Sequence, residues 1–79
     1  MKRSIPNALL HILHTNFLIH IENLSYHLNL TKDLGMNQLE QMEMLYYVEN
    51  EFNINIDDRE VAKINTVRDL VNAVRKYAY

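Results

Sequence analysis

The chain predicts an all-α fold: a small four-helix bundle with three longer helices, a short third helix, and a long loop between the first and second. Three observations carry this. Apolar residues recur at helical spacing in three stretches. One glycine and one proline in 79 residues leave little of the turn chemistry that a sheet protein needs. Side chains suited to capping a helix stand just ahead of each apolar stretch.

The first helix follows Ser4, a candidate cap, and takes Pro6 into its opening turn, where the missing N–H costs least. Ile5, Leu9, Ile12, Leu13 and Phe17 form its apolar stripe, and its expected end is near His20. Residues 21–35 mix Asn23, Ser25, Asn29 and Thr31 with isolated leucines, so they read as a long loop whose Leu24, Leu28 and Leu30 reach the core. The loop closes on Gly35, which enters the left-handed region without the cost other residues bear.

Asn37 is a strong cap for the second helix, and Glu40, three positions on, completes a capping box. The helix runs to about Phe52. Its expected inner side carries Leu39, Met42, Leu45, Tyr46 and Phe52, with Tyr46 an inward core tyrosine. The expected outer side carries Glu40, Glu43, Met44, Tyr47 and Glu51. Asn53-Ile54-Asn55-Ile56 alternates like a strand but is short and lacks a pairing partner, so it reads as an extended connector. Asp57 or Asp58 caps a short third helix through about Lys63. Thr66, with Asp69 in the capping-box position, opens the last helix, whose inner residues are Val67, Leu70, Val71, Val74 and Tyr77.

Residues 1–79 read as one domain, too small for a large core. With no cysteine there is no disulfide, thiolate chemistry or cysteine metal site, which fits a reducing, cytoplasmic setting. Met1 to Leu13 faintly imitates a basic leader, but His11, His14 and Asn16 interrupt it, so the chain reads as unprocessed. Its apolar runs fall far short of the roughly 20 residues that span a bilayer.

The net charge of −2 conceals a segregation. From Asp33 to Asp58 the acids are Asp33, Glu40, Glu43, Glu49, Glu51, Asp57 and Asp58, and no lysine or arginine stands among them. Such a block repels nucleic acid and either solvates a face or steers a basic partner. Met44 and Tyr47, set among the carboxylates, favour the partner reading, because Met and aromatic residues are enriched in interface cores. His11, His14, His20 and His27 have no third ligand fixed by spacing, so no metal is expected. Nothing pairs a nucleophile with a base, and a single glycine builds no phosphate cradle, so no catalytic residue is assigned and no enzyme activity is expected.

Asp33-Leu34-Gly35-Met36-Asn37-Gln38-Leu39 resembles the Asp-Leu-Gly-x-Asp-Ser-Leu signature of the acyl carrier protein family. Glu49 to Ile56 is similar to that family's Glu-Glu-Glu-Phe-x-Ile-x-Ile, and Lys63 to Val67 to its Lys-Ile-x-Thr-Val. The register runs from residue 33 to 74 without insertion or deletion. The resemblance implies the carrier fold and a phosphopantetheine arm on a serine, but Gln38 occupies that position and an amide offers no hydroxyl. No cofactor is therefore expected.

The resemblance also implies docking through the acidic second helix, here Glu40, Glu43, Met44, Tyr47 and Glu51. The implied partner is the basic surface of a synthase or transferase in fatty acid, polyketide or related acyl metabolism, met by a monomer acting as decoy, scaffold or regulator. Two alternatives stay open. One is a working acyl or peptidyl carrier with a displaced or altered site, for which Ser4, Ser25, Thr31 and Thr66 lack the signature surroundings; the other is a helical interaction module that keeps only the fold.

Overall fold

The computed structural model describes residues 4–22 and 24–78. Four helices follow in order: α1 (Ile5–Phe17), α2 (Gln38–Phe52), α3 (Asp58–Val61) and α4 (Val67–Ala78). Among the described residues there is no named strand, only an isolated antiparallel bridge between Asn29 and Thr66.

Each start is fixed by a local device. Ser4 Oγ accepts the Asn7 N–H and Pro6 lies in the first turn of α1. Asp57 Oδ1 accepts the Arg59 N–H at 2.8 Å to start α3. At α4 the Asp69 N–H donates to Thr66 Oγ1 while Asp69 Oδ2 accepts from the Thr66 and Asn65 N–H groups. The α1 terminus corrects the expectation of an end near His20. Leu18 turns left-handed at φ 57°, and the N–H groups of Leu18 and Ile19 both return to the Leu13 carbonyl, closing the helix at Phe17.

α1 packs on both α2 and α4. Ile5, Ala8, Leu9, Ile12 and Leu13 meet Met44, Leu45, Val48 and Phe52 of α2 and Val67, Leu70, Val71 and Val74 of α4 in one core. Burial of these side chains is what holds so short a chain, since no covalent link is available. α3 adds no fully buried side chain and is tied to α4 through the ion pair of Glu60 with Lys76.

The long loop is pinned rather than free. The Leu30 N–H donates to the Asn65 carbonyl and the Val67 N–H to that of Leu28, both at 2.9 Å, and the Arg68 N–H donates to the Tyr26 carbonyl at 2.8 Å. Leu30 thereby drops into the core, while Leu24 and Leu28 pack on its margin. Ile56 of the connector is buried and Ile54 partly so, and Glu49 Oε2 accepts the Ile56 N–H at 2.8 Å to fasten it to α2.

The rotational setting of α2 differs from expectation by about one residue, or roughly 100°. Met44, placed outside by the sequence reading, is 1% exposed and belongs to the core. Leu39, Met42 and Tyr46, placed inside, are 64%, 59% and 63% exposed. The physical reason is that α2 has apolar residues on both sides. The stripe that packs is Met44, Leu45, Val48 and Phe52, because only that one faces α1 and α4.

Candidate functional site

α2 carries both features that the sequence singles out, one at its first residue and one along its outer side. Its start is built by the loop before it. Asn29 Oδ1 accepts the N–H groups of Thr31 and Lys32, and Asp33 Oδ2 accepts the Asn29 N–H at 2.7 Å, winding residues 29–34 into a tight turn. Gly35 then takes φ 67°, and the Met36 N–H returns to the Leu30 carbonyl while its side chain is buried. The turn thus delivers Asn37 as the cap. Glu40 N–H donates to Asn37 Oδ1 at 2.8 Å and Asn37 N–H to Glu40 Oε1 at 3.0 Å, the reciprocal pair expected from the sequence.

Gln38 is the first residue of α2 and is exposed. One turn on, Gln41 Nε2 donates to Thr31 Oγ1 at 2.9 Å and to the Met36 carbonyl at 2.8 Å, clamping the loop onto the helix. Gln38 and Gln41 stand at the rim of a cleft of about 200 Å³ whose apolar wall includes Leu30, Met44, Leu45 and Ile64. The Gln38 side chain itself is an amide, which donates and accepts hydrogen bonds and carries no hydroxyl.

The outer side of α2 is apolar with acidic edges. Leu39, Met42 and Tyr46 follow at i, i+3 and i+7, opposite the core stripe, and with Glu43 and Tyr47 they line a shallow depression of about 290 Å³. Of the five residues expected to meet a partner, Glu43, Tyr47 and Glu51 are exposed. Glu40 is half-buried, its carboxylate held by the cap, and Met44 is withdrawn into the core. Tyr46, an inward residue by sequence, is instead a surface one. Leu39, Met42 and Tyr46 are therefore exposed apolar residues of this candidate surface that the sequence reading places inside. Val48 was the available signal: counting it with Leu45 and Phe52 gives the i, i+3/i+4, i+7 pattern of the true inner stripe and turns the other three outward.

The four alternative hydroxyls are engaged locally. Ser4 Oγ and Thr66 Oγ1 cap helices, Thr31 Oγ1 accepts from Gln41, and Ser25 Oγ lies 2.7 Å from His27 Nδ1. The His14 and His20 rings meet edge-on at 4.4 Å, and among the described residues no group of three histidines or carboxylates is arranged to hold a metal ion. No helix of the described residues is long and apolar enough to cross a membrane.

Comparison with known proteins bears on this arrangement. A family model described as the phosphopantetheine attachment site matches residues 7–74. The acyl carrier protein of Rickettsia bellii is 35% identical over 57 residues, covering 72% of this chain and 70% of that protein. The acyl carrier protein of Buchnera aphidicola is 41% identical over 44 residues, covering 56% of this chain and 55% of its own length. Among solved structures, the acyl carrier protein of Thermotoga maritima superposes with a TM-score of 0.79 at 26% identity, over 86% of this chain and 79% of that one. A putative acyl carrier protein from Mycobacterium tuberculosis does so with 0.71 at 27% identity, over 89% and 88%.

Proposed function

The chain belongs to the acyl carrier protein family, and from that premise we propose that it is a carrier-shaped domain which takes no phosphopantetheine at Gln38 and acts by protein contact. The observation that supports this most directly is the side chain at the start of α2. In the register of the family signature Gln38 occupies the attachment position, and it is exposed on the first turn, where a transferase would reach it. A serine there would present an alcohol oxygen to the pyrophosphate of coenzyme A; the glutamine amide is not a nucleophile of that kind. The rest of the apparatus is intact: the loop turn, Gly35, the cap and the clamped entry to α2.

On this reading the outer side of α2 does the work. Carboxylates steer a basic surface toward it, and the apolar residues between them supply the hold once water is expelled. The working set is Leu39, Met42, Glu43, Tyr46, Tyr47 and Glu51. Met44 is excluded by its burial, and Glu40 contributes its charge while its Oε1 serves the cap. The partner so described is an enzyme of fatty acid, polyketide or related acyl metabolism with a cationic docking surface. The chain acts on it as a decoy, scaffold or regulator, with no catalytic residue of its own.

Intact-mass measurement tests the proposal. Incubated with a phosphopantetheinyl transferase and coenzyme A, the chain is expected to keep its mass, and gain of the arm on any residue overturns the reading. Gln38→Ser is the companion variant. Modification of that variant alone locates the block at position 38 and shows that the docking side still serves a carrier enzyme.

A further inference from the structure

His14 and His20 come together because of how α1 ends. A continuous helix would carry His20 about 120° round from His14. Instead Leu18 turns left-handed at φ 57°, and the N–H groups of Leu18 and Ile19 both donate to the Leu13 carbonyl, so the chain doubles back over the last turn. His20 thereby lies against His14, with ring centres 4.4 Å apart and planes at 62°. His11 stands one turn before His14 on the same side of α1. All three rings are exposed, and with Glu22 they border one open hollow of about 520 Å³ beside the helix end.

The arrangement suits a cation that takes nitrogen ligands. Two imidazoles on one zinc ion, with Zn–N bonds of about 2.1 Å and an N–Zn–N angle of about 90–110°, hold their ring centres about 4.5–5.2 Å apart. The 4.4 Å separation of His14 and His20 is within an ångström of that, so exposed rings reach the bound geometry by side-chain rotation. Among the described residues no hydrogen bond engages the ring nitrogens of His11, His14 or His20, whereas the His27 ring meets Ser25 Oγ at 2.7 Å. His14 lies in the last turn of α1, where unsatisfied carbonyls place partial negative charge and favour a cation.

We propose that His14 and His20, with His11 as third ligand and water as the fourth, bind one zinc ion at the end of α1. Among the described residues no three ligands yet converge on one point, so His11 swings in on binding. The ion ties the turn after α1 to the helix itself. Imidazole ligands select zinc and its late-transition neighbours, while magnesium and calcium take oxygen ligands and leave the site alone.

The test is calorimetric titration of the intact chain with zinc chloride, in buffer with magnesium in excess so that the carboxylates of α2 do not report. One zinc ion per chain is expected. His14→Ala and His20→Ala should each weaken binding at least about tenfold, and His11→Ala about threefold or more. His27→Ala, which alters the histidine outside the hollow, should change nothing. All four side chains are exposed, so the variants keep the core intact.

No zinc uptake, or full affinity in His14→Ala or His20→Ala, would overturn the site. So would a loss shared equally by His27→Ala, or a zinc-linked dimer in sedimentation, since either means scattered surface histidines rather than a site within one chain. Unchanged binding by His11→Ala alone would overturn its place as third ligand. The mass measurement at Gln38, on another helix, is unaffected by any of these results.

Discussion

Asn37 and Glu40 satisfy each other across the first turn of α2: each backbone N–H donates to the other's side-chain oxygen, at 2.8 and 3.0 Å. This reciprocal pair fixes where the helix begins and therefore where Gln38 stands. It also occupies the Glu40 carboxylate, so that of the acids near the start of α2 it is Glu43 that faces outward among the apolar residues.

Removing the cap should cost stability without touching the outer side of α2. Asn37→Ala is expected to destabilise the fold by about 1 kcal/mol, and Asn37→Asp by a few tenths at most, because aspartate keeps the accepting oxygen. Urea unfolding followed by far-UV circular dichroism measures both. Equal losses would show that the side-chain oxygen at position 37 is not what starts α2.

The two methionines of α2 should behave oppositely. Met44 is buried in the core, so Met44→Ala is expected to cost about 2–4 kcal/mol through lost burial and a residual cavity. Met42 is largely exposed, so Met42→Ala should change stability by less than about 0.5 kcal/mol. Thermal or urea unfolding of the pair decides the rotational setting of α2 directly. The opposite order would restore the setting read from the sequence.

That pair also marks the boundary of what the chain discloses. The starts of the four helices, with Ser4, Asn37, Asp57 and Thr66 as caps, and the turn at Gly35 are written in local chemistry, where one side chain and a neighbouring N–H suffice, and the structure has them where the sequence places them. α1 and α3 end earlier, at Phe17 rather than near His20 and at Val61 rather than about Lys63. The setting of α2 is not local. Leu39, Met42 and Tyr46 satisfy a helical period as Met44, Leu45, Val48 and Phe52 do, and only the positions of α1 and α4 choose between them. A contact surface that copies the periodicity of a core is illegible for that reason. The end of α1 was missed on similar grounds: a leucine in the left-handed region contradicts its own propensity. By contrast α4, with one apolar side only, has Val67, Leu70, Val71 and Val74 buried as the sequence places them, and Tyr77 partly buried against the same core.

Gly35 separates conformational cost from steric cost. A Cβ at this position meets nothing within 4 Å, yet φ is 67°. Gly35→Ala is therefore expected to destabilise by about 1 kcal/mol through backbone strain alone, and Gly35→Asn by less, since asparagine tolerates the left-handed region. Denaturant midpoints measure this. An alanine cost near zero would mean that the turn before α2 relaxes to another conformation, and the Met36 N–H bond to the Leu30 carbonyl would be lost with it.

Asp69 should give the fold an acid dependence of definite sign. The Asn65 backbone N–H, donating to its carboxylate at 3.0 Å, holds its pKa below the usual aspartate value; burial opposes this, and the Thr66 N–H and hydroxyl and the Arg68 charge add to the lowering. Because the folded-state value is the lower one, the charged form binds the fold better than it binds the open chain. Its contribution is thus complete above the unfolded value of about 3.9 and is lost as pH falls through the folded value. Asp69 is half-buried at the exposed start of α4, where nearby solvent screens its charge, so the effect should be modest. Asp69→Asn keeps one accepting oxygen but cannot titrate. Its melting temperature should lie below that of the wild-type chain at neutral pH, and the gap should narrow below about pH 3 as the wild-type carboxylate takes up its proton. A gap of constant size across that window would assign the effect to geometry rather than to charge.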